Sequence, residues 1–185
     1  MNASNGFIAA AFAIAASAAV VDARRGRVPN WLALGLVPIA PIAHALAARG
    51  PSPFPSVPAP LVFGGLSIAG AALCAVVPLL LFRLGWAGGA DVKLLATQGA
   101  LLGPLVGLRT ELYALVFAAF YAPARLAYRG KLFASIRDAL GYVHRKARRR
   151  AGREFAPEAA IETLPLCPFV FLGTAAAVLL PKALP

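Results

Sequence analysis

Long apolar stretches separated by short polar connections dominate the pattern of hydrophobic and polar positions along this chain. Six of them approach the roughly 17 to 25 residues that an α-helix needs to cross a bilayer. They cover residues 6–21, 31–48, 61–82, 92–107, 112–128 and 164–180. The fourth stretch holds three glycines and Pro104, so we expect a broken or partly re-entrant helix there. The pattern predicts an all-α polytopic membrane protein with about six transmembrane helices.

The composition agrees with a membrane protein of one domain. Of the 185 residues, 60% are hydrophobic and only 14% are charged, whereas about a quarter of a soluble chain is charged. A core of this size cannot enclose so much apolar surface, so much of that surface must face lipid. We treat residues 1–185 as a single membrane-embedded domain. Cys74 and Cys167 lie in apolar stretches without the spacing of a metal site, so we expect no metal and interpret both as small packing residues.

The positive charge is distributed unevenly between the two sides of the predicted bundle. The chain carries 18 Lys and Arg against 7 Asp and Glu, and 15 of those basic residues fall in the first, third and fifth connections or at the adjoining ends of the apolar stretches. Cytoplasmic loops of membrane proteins carry the excess of Lys and Arg. The distribution therefore predicts that these three connections are cytoplasmic and that both termini lie outside.

The fifth connection differs from the others in length and pattern. Within residues 129–163, apolar residues recur at helical spacing and precede the basic run 145–153. This pattern predicts a basic amphipathic cytoplasmic loop that lies on the anionic headgroups of the inner leaflet. Because no aromatic residues are interleaved with the basic run, we do not expect a nucleic-acid partner.

Two aspartates lie at the edge of the predicted membrane segments. Asp22 ends the first helix and Asp91 precedes the fourth, and the distribution of basic residues assigns both to the cytoplasmic side. Ionisable groups are costly at such positions and usually have a functional or pairing reason. Two carboxyl groups that meet share a proton, which provides one acid and one base in a single site. We therefore take Asp22 and Asp91 as candidate catalytic residues.

The sequence around the two aspartates suggests supporting groups. A Pro-Asn turn follows Asp22 after seven residues, and three small residues precede Asp91. Small residues let a backbone pass close to a carboxylate, and a lysine just beyond Asp91 can pair with an acid or a headgroup. The candidate substrate-binding or supporting residues are Pro29, Asn30, Gly88, Gly89, Ala90 and Lys93.

With these two flanked aspartates the chain resembles the type IV prepilin peptidases, a family of GxGD membrane aspartic proteases, and most of all the short form of Flp/Tad pilus systems. The resemblance implies that Asp22 and Asp91 are the catalytic dyad and that no cofactor is needed. It also implies a bacterial cytoplasmic membrane enzyme whose active site faces the cytoplasm. Its substrate is then a prepilin or pseudopilin, whose basic leader is cleaved after a Gly that precedes the hydrophobic helix.

The chain departs from that family pattern in two ways. The GxGD motif has Gly directly before the second aspartate, whereas here Ala90 occupies that position. We expect activity to survive this change unless position 90 requires a positive φ. Longer family members carry CxxC motifs and an N-methyltransferase activity, and this chain has no such cysteines. The resemblance thus implies a peptidase without methyltransferase activity.

Two other hypotheses stay open. The first is a non-enzymatic small transporter or a pilus or secretion assembly factor, in which acids at the membrane edge bind a cation or a proton. That hypothesis predicts acids at mid-bilayer and a repeat within the chain, and no repeat is visible. The second is a degenerate peptidase that keeps the fold without the activity, and it rests on Ala90.

Overall fold

The computed structural model describes residues 3–48, 51–54, 56–84, 87–128, 130 and 166–180, and these residues form helices without any strand. The predicted all-α class is confirmed. The predicted basic loop 129–163 lies outside the described residues, apart from Gly130. The helices are α1 (Ala3–Arg25), α2 (Asn30–Leu34), α3 (Ile39–Ala47), α4 (Ala59–Arg83), α5 (Gly89–Tyr128) and α6 (Cys167–Leu179).

Four described segments are long and apolar enough to cross a membrane. They are Asn5–Arg25, Asn30–Ala47, Ala59–Arg83 and Gly89–Arg125. The helix α6 is also apolar but has 13 residues, which is fewer than the roughly 17 residues that a crossing needs. Several helices could therefore cross a membrane, whereas six crossings with both termini outside stay a prediction.

The helix α5 folds back on itself as a helical hairpin. Gly103 interrupts the helix with φ 77° and ψ 175°, a conformation that is accessible essentially to glycine alone. A Cβ at Gly107 would lie 2.8 Å from Cα of Gly99, although eight residues of straight helix would separate the two by about 12 Å. We call residues 89–102 the first arm and residues 104–128 the second arm. Pro104 opens the second arm, where its missing N–H costs no helical hydrogen bond.

The predicted connection between residues 107 and 112 is wrong, because these residues belong to the second arm. Two polar residues of this stretch, Thr110 and Glu111, are buried in the bundle. The break occurs at Gly103, as the glycines and proline of this stretch had indicated for a broken helix.

The second predicted helix, residues 31–48, is also broken. The helix α2 ends at Leu34 and α3 begins at Ile39, with a turn between them. Pro38 lies in this turn and has no N–H to continue the hydrogen bonds of α2. The regular helix is therefore interrupted between Leu34 and Ile39.

The first arm lies at the centre of the bundle, in contact with α1, α2, α4, α6 and the second arm. Its polar side chains and carbonyls are satisfied by these neighbours. Gln98 Nε2 donates to the carbonyl of Ala11 at 3.0 Å, and Ser67 Oγ on α4 donates to the carbonyl of Ala100 at 2.7 Å. Interhelical hydrogen bonds of this kind hold helices together where lipid provides no hydrophobic driving force.

Glycines let the helices approach backbone to backbone. A Cβ at Gly99 would overlap the carbonyl oxygen of Gly70 on α4, and a Cβ at Gly173 on α6 would clash with Thr110 and Ala114 of the second arm. Small residues are the usual basis of such close contacts between membrane helices. The positions of α4 and α6 against the hairpin are therefore closely fixed.

Candidate active site

Four helix ends meet at one end of the bundle: the C-terminus of α1 and the N-termini of α2, α5 and α6. Asp22 lies in the last turn of α1, where Gly26 ends the helix. Gly26 has φ +62° and donates its N–H to the carbonyl of Asp22 at 2.8 Å. A left-handed glycine is a common helix terminator, so the local sequence sets Asp22 one turn from the end of its helix.

Asp91 occupies the first turn of α5 and is buried. Its Oδ2 accepts the N–H of Gly88 at 3.0 Å, and the carbonyl of Gly88 accepts the N–H of Asp91 at 3.1 Å. This is the side-chain half of a capping box, in which the third residue of a helix satisfies a free N–H at its start. The N-terminus of a helix also favours a negative charge. The capping hydrogen bond therefore anchors one oxygen of this carboxyl group.

The structure brings the two candidate catalytic aspartates together. Asp22 is close enough to Asp91 for their carboxyl groups to interact electrostatically. Cys167, the first residue of α6, joins them: its Sγ donates to Oδ1 of Asp91 at 3.6 Å, and its thiol also interacts with the carboxyl group of Asp22. Two acids and one thiol from three helices thus form a single cluster.

The sequence interpretation missed the part that Cys167 plays in this cluster, because it assigned the thiol to ordinary apolar packing. A signal was present in the predicted topology. Cys167 opens the last apolar stretch, directly after the connection that the basic residues assign to the cytoplasmic side. That assignment gives it the same side of the membrane as Asp22 and Asp91.

The small residues before Asp91 have different surroundings. A Cβ at Gly88 would lie 3.2 Å from Oδ2 of Asp91, so a side chain there would press on the carboxyl group. A Cβ at Gly89 would make an ordinary contact of 3.5 Å with the ring of Phe82. Ala90 lies in the first helical turn and has a negative φ. Position 90 therefore does not require glycine for its backbone conformation.

The Pro-Asn turn lies beside the start of α5. Lys93 Nζ donates to Oδ1 of Asn30 at 2.7 Å, so the partner of this lysine is an amide rather than the acid or headgroup that we had considered. Pro29 caps α2 in an extended conformation, and further along Thr97 donates to the carbonyl of Ala33. These contacts fix α2 next to the aspartates.

A third acid, Glu111, is also buried. It lies between residues 107 and 112, where the sequence pattern had predicted a connection. It lies on the second arm, and within the described part of the chain neither carboxylate oxygen has a hydrogen-bond partner. Its carboxyl group interacts electrostatically with Cys74 on α4. Among the described residues, no three His, Cys, Asp or Glu side chains are grouped so that they could hold a metal ion.

A comparison with models of protein families gives a match for this chain. The model of the type IV leader peptidase family matches residues 8–123. The matched part covers more than half of the chain and contains both Asp22 and Asp91, whereas Cys167 lies beyond it. Neither curated proteins nor solved structures give a match.

Proposed function

Since this chain belongs to the type IV leader peptidase family, we propose that it is an aspartic endopeptidase of the bacterial cytoplasmic membrane. Its catalytic residues are Asp22 and Asp91, and its active site faces the cytoplasm. The substrate is a prepilin or pseudopilin, most closely the Flp-like class, cleaved after the Gly that precedes its hydrophobic helix. The hydrogen bond of one buried thiol to Asp91 and its interaction with Asp22 carry this proposal, because they support a single small site for the two acids.

The chemistry follows from two acids that share one proton. The ionised carboxylate takes a proton from a water molecule, and the resulting hydroxide attacks the carbonyl carbon of the scissile peptide. The protonated carboxyl group donates its proton to the peptide as the C–N bond breaks and the amine leaves. The roles of acid and base are exchanged at the end of the cycle, and one further proton transfer restores the starting pair.

The position of the acids suits a substrate that is half cytoplasmic and half membrane-embedded. Asp22 and Asp91 lie at the ends of apolar helices rather than in their middle. A basic leader would remain in water while the hydrophobic helix of the substrate enters the lipid beside the bundle. The scissile bond, which joins these two parts, would then lie level with the acids.

The supporting residues shape the entrance to this site. Gly88 gives its N–H to Asp91 and leaves the space beside the carboxyl group open. The hydrogen bond between Lys93 and Asn30 holds the start of α2 against α5. We propose that the open strip over residues 88–90 and the Pro29-Asn30 turn form the two walls between which the substrate backbone passes.

Leader removal in cells tests the dyad directly. A prepilin is co-expressed with the wild-type chain, with Asp22→Asn or with Asp91→Asn, and its size is followed on a gel. Each substitution keeps the size of the side chain and removes its ability to move a proton, so each variant should leave the prepilin uncut. Full processing by either variant would refute the catalytic pair.

A degenerate peptidase predicts a gain of activity when the glycine of the motif is restored. Because Ala90 is helical with a negative φ, we expect Ala90→Gly to bring no gain in leader removal. The substitution should instead weaken the first turn of α5 by about 0.5–1 kcal/mol, the difference in helix propensity between the two residues. An inactive wild-type chain together with an active Ala90→Gly chain would show that this protein is a degenerate peptidase.

The transporter hypothesis is favoured by a single observation, the acid Glu111, which is buried in the bundle without a hydrogen-bond partner among the described residues. Proteoliposomes that contain the protein distinguish the two functions. A proton flux that disappears in Glu111→Gln would favour transport. Leader removal without such a flux, unchanged in Glu111→Gln, would favour the peptidase.

A further inference from the structure

The thiol of Cys167 takes no part in the proton transfers proposed above, yet it is hydrogen-bonded to Asp91 and interacts with Asp22. The side chain is 1% exposed, and its Sγ lies 3.6 Å from Oδ1 of Asp91. The same thiol interacts with the carboxyl group of Asp22. A thiol is a weak neutral hydrogen-bond donor, so it can orient a carboxyl group without adding a charge to the pair.

The packing of α6 leaves Cys167 little freedom to lie elsewhere. Gly173 packs against the backbone of Thr110 on the second arm, and Thr174 Oγ1 lies 3.5 Å from Oε1 of Gln98 on the first arm. Pro168, directly after the cysteine, has a fixed φ at the start of the helix. Contacts along α6 thus hold its first residue against the aspartates.

The two oxygens of Asp91 receive different donors as a result. Oδ2 accepts the N–H of Gly88 from its own helix, and Oδ1 accepts the thiol from α6. Two donors on opposite sides of a carboxyl group fix its plane, whereas one donor leaves it free to rotate. Rotation would move the oxygen that must reach the water molecule or the scissile peptide.

We propose that Cys167 is a positioning residue of the catalytic pair, which holds the plane of the Asp91 carboxyl group and ties it to Asp22. The proposal rests on the proposed peptidase function. It assigns a role to α6, which lies outside the part of the chain that the family model matches. The thiol acts through Asp91 and does not itself touch the substrate.

The test compares four variants of the full chain, purified in detergent and assayed on a prepilin. Cys167→Ala and Cys167→Val remove the donor, the second without leaving a cavity, and Cys167→Ser keeps a donor. Cys74→Ala is the matched control, because Cys74 is also buried and lies on α4 among glycines of the hairpin. Thermal melting of each variant reports folding separately from activity.

We expect kcat for Cys167→Ala and Cys167→Val to fall roughly 10- to 100-fold, because small displacements of a catalytic group have effects of this size. KM should stay within about twofold, since the thiol does not contact the substrate. Cys167→Ser should recover kcat to within a few-fold of the wild type, and Cys74→Ala should keep it. Should Cys167→Ala fail to fold, Cys167→Val and Cys167→Ser still provide the comparison.

Three results would overturn the positioning role. Wild-type kcat in folded Cys167→Val would show that no donor is needed. A serine variant as slow as the valine variant would show that size or packing matters rather than the donor. A faster Cys167→Ala enzyme would show that the thiol obstructs the site. None of these results would contradict the proposed peptidase function. That proposal is refuted only if Asp22→Asn or Asp91→Asn remains active.

Discussion

Each arm of the α5 hairpin contains one buried acid, and the two acids differ in the polar groups that surround them. Asp91 on the first arm is 6% exposed, and Glu111 on the second arm is 3% exposed. Asp91 accepts hydrogen bonds from Gly88 and Cys167 and lies beside Asp22. Glu111 has no hydrogen-bond partner among the described residues.

Burial alone therefore does not identify the acid that does chemistry in this bundle. The two acids differ in their position along a helix. In the first turn of α5 the backbone N–H groups are free to meet a carboxylate, whereas in the interior of the second arm they are used by the helix. Asp91 is also near the ends of three other helices, which bring a second acid and a thiol. We conclude that helix ends, and not membrane depth, create the candidate site.

The largest effect should separate the two acids by activity. Asp91→Asn and Glu111→Gln make the same change, an acid to its amide, at two buried positions of one hairpin. We expect Asp91→Asn to lower kcat/KM for a purified prepilin by at least roughly 1,000-fold, or about 4 kcal/mol, because the pair loses its proton transfer. Glu111→Gln should stay within about threefold of the wild type. Equal losses in both variants would abolish the distinction between the arms.

The second effect concerns the framework that both arms share. Alanine at Gly99 would overlap the carbonyl oxygen of Gly70, whereas alanine at Gly65, on the same α4 as Gly70, meets nothing within 4 Å. Overpacking of this kind typically costs about 1–3 kcal/mol and occasionally more. We expect Gly99→Ala to melt at a clearly lower temperature in detergent, whereas Gly65→Ala should melt at or slightly above the wild-type temperature, because alanine has the higher helix propensity. If Gly99→Ala is as stable as the wild type, the hairpin does not pack on α4 this closely.

The sequence predicted the apolar helices and the pair of aspartates, because both are visible without tertiary contacts. Apolar stretches give the helices directly, and the distribution of basic residues assigns Asp22 and Asp91 to one side. In the structure, Asp22 and Asp91 are close enough to interact electrostatically. Their catalytic role is still a proposal.

The rest could not be predicted because it depends on packing between distant residues. Arg109 and Glu111 suggested a loop, since charged residues usually face water, yet the second arm continues through both. The turn at Gly103 brings Gly99 and Gly107 into contact, and this contact exists only once the hairpin has formed. Cys167 is separated from Asp91 by 76 positions, and nothing local distinguishes it from a packing cysteine.

The third effect tests how closely the first-arm acid is held. A Cβ at Gly88 would lie 3.2 Å from Oδ2 of Asp91, which is tight enough to displace the carboxyl group by a few tenths of an ångström. We expect Gly88→Ala to lower kcat/KM about tenfold with little change in melting temperature, since catalysis is sensitive to such displacements. Gly65→Ala, with open space around it, is again the control. An unchanged rate would mean that the carboxyl group tolerates movement.

The smallest effect should appear on the second arm, as a gain in stability. A buried acid that lacks a hydrogen-bond partner, as Glu111 does among the described residues, costs free energy, so an apolar side chain of similar volume should stabilise the fold. We expect Glu111→Met to gain about 1 kcal/mol, which for a chain of this size raises the melting temperature by about 2–4 °C. Leu112→Met is the control, because it changes the neighbouring, exposed position without removing a polar group. Asp91→Leu should not raise the melting temperature in this way. Asp91 accepts hydrogen bonds from Gly88 and Cys167, and the substitution would break both. A lower melting temperature for Glu111→Met would mean that Glu111, like Asp91, is held by stabilising contacts, and the contrast between the arms would then be one of function alone.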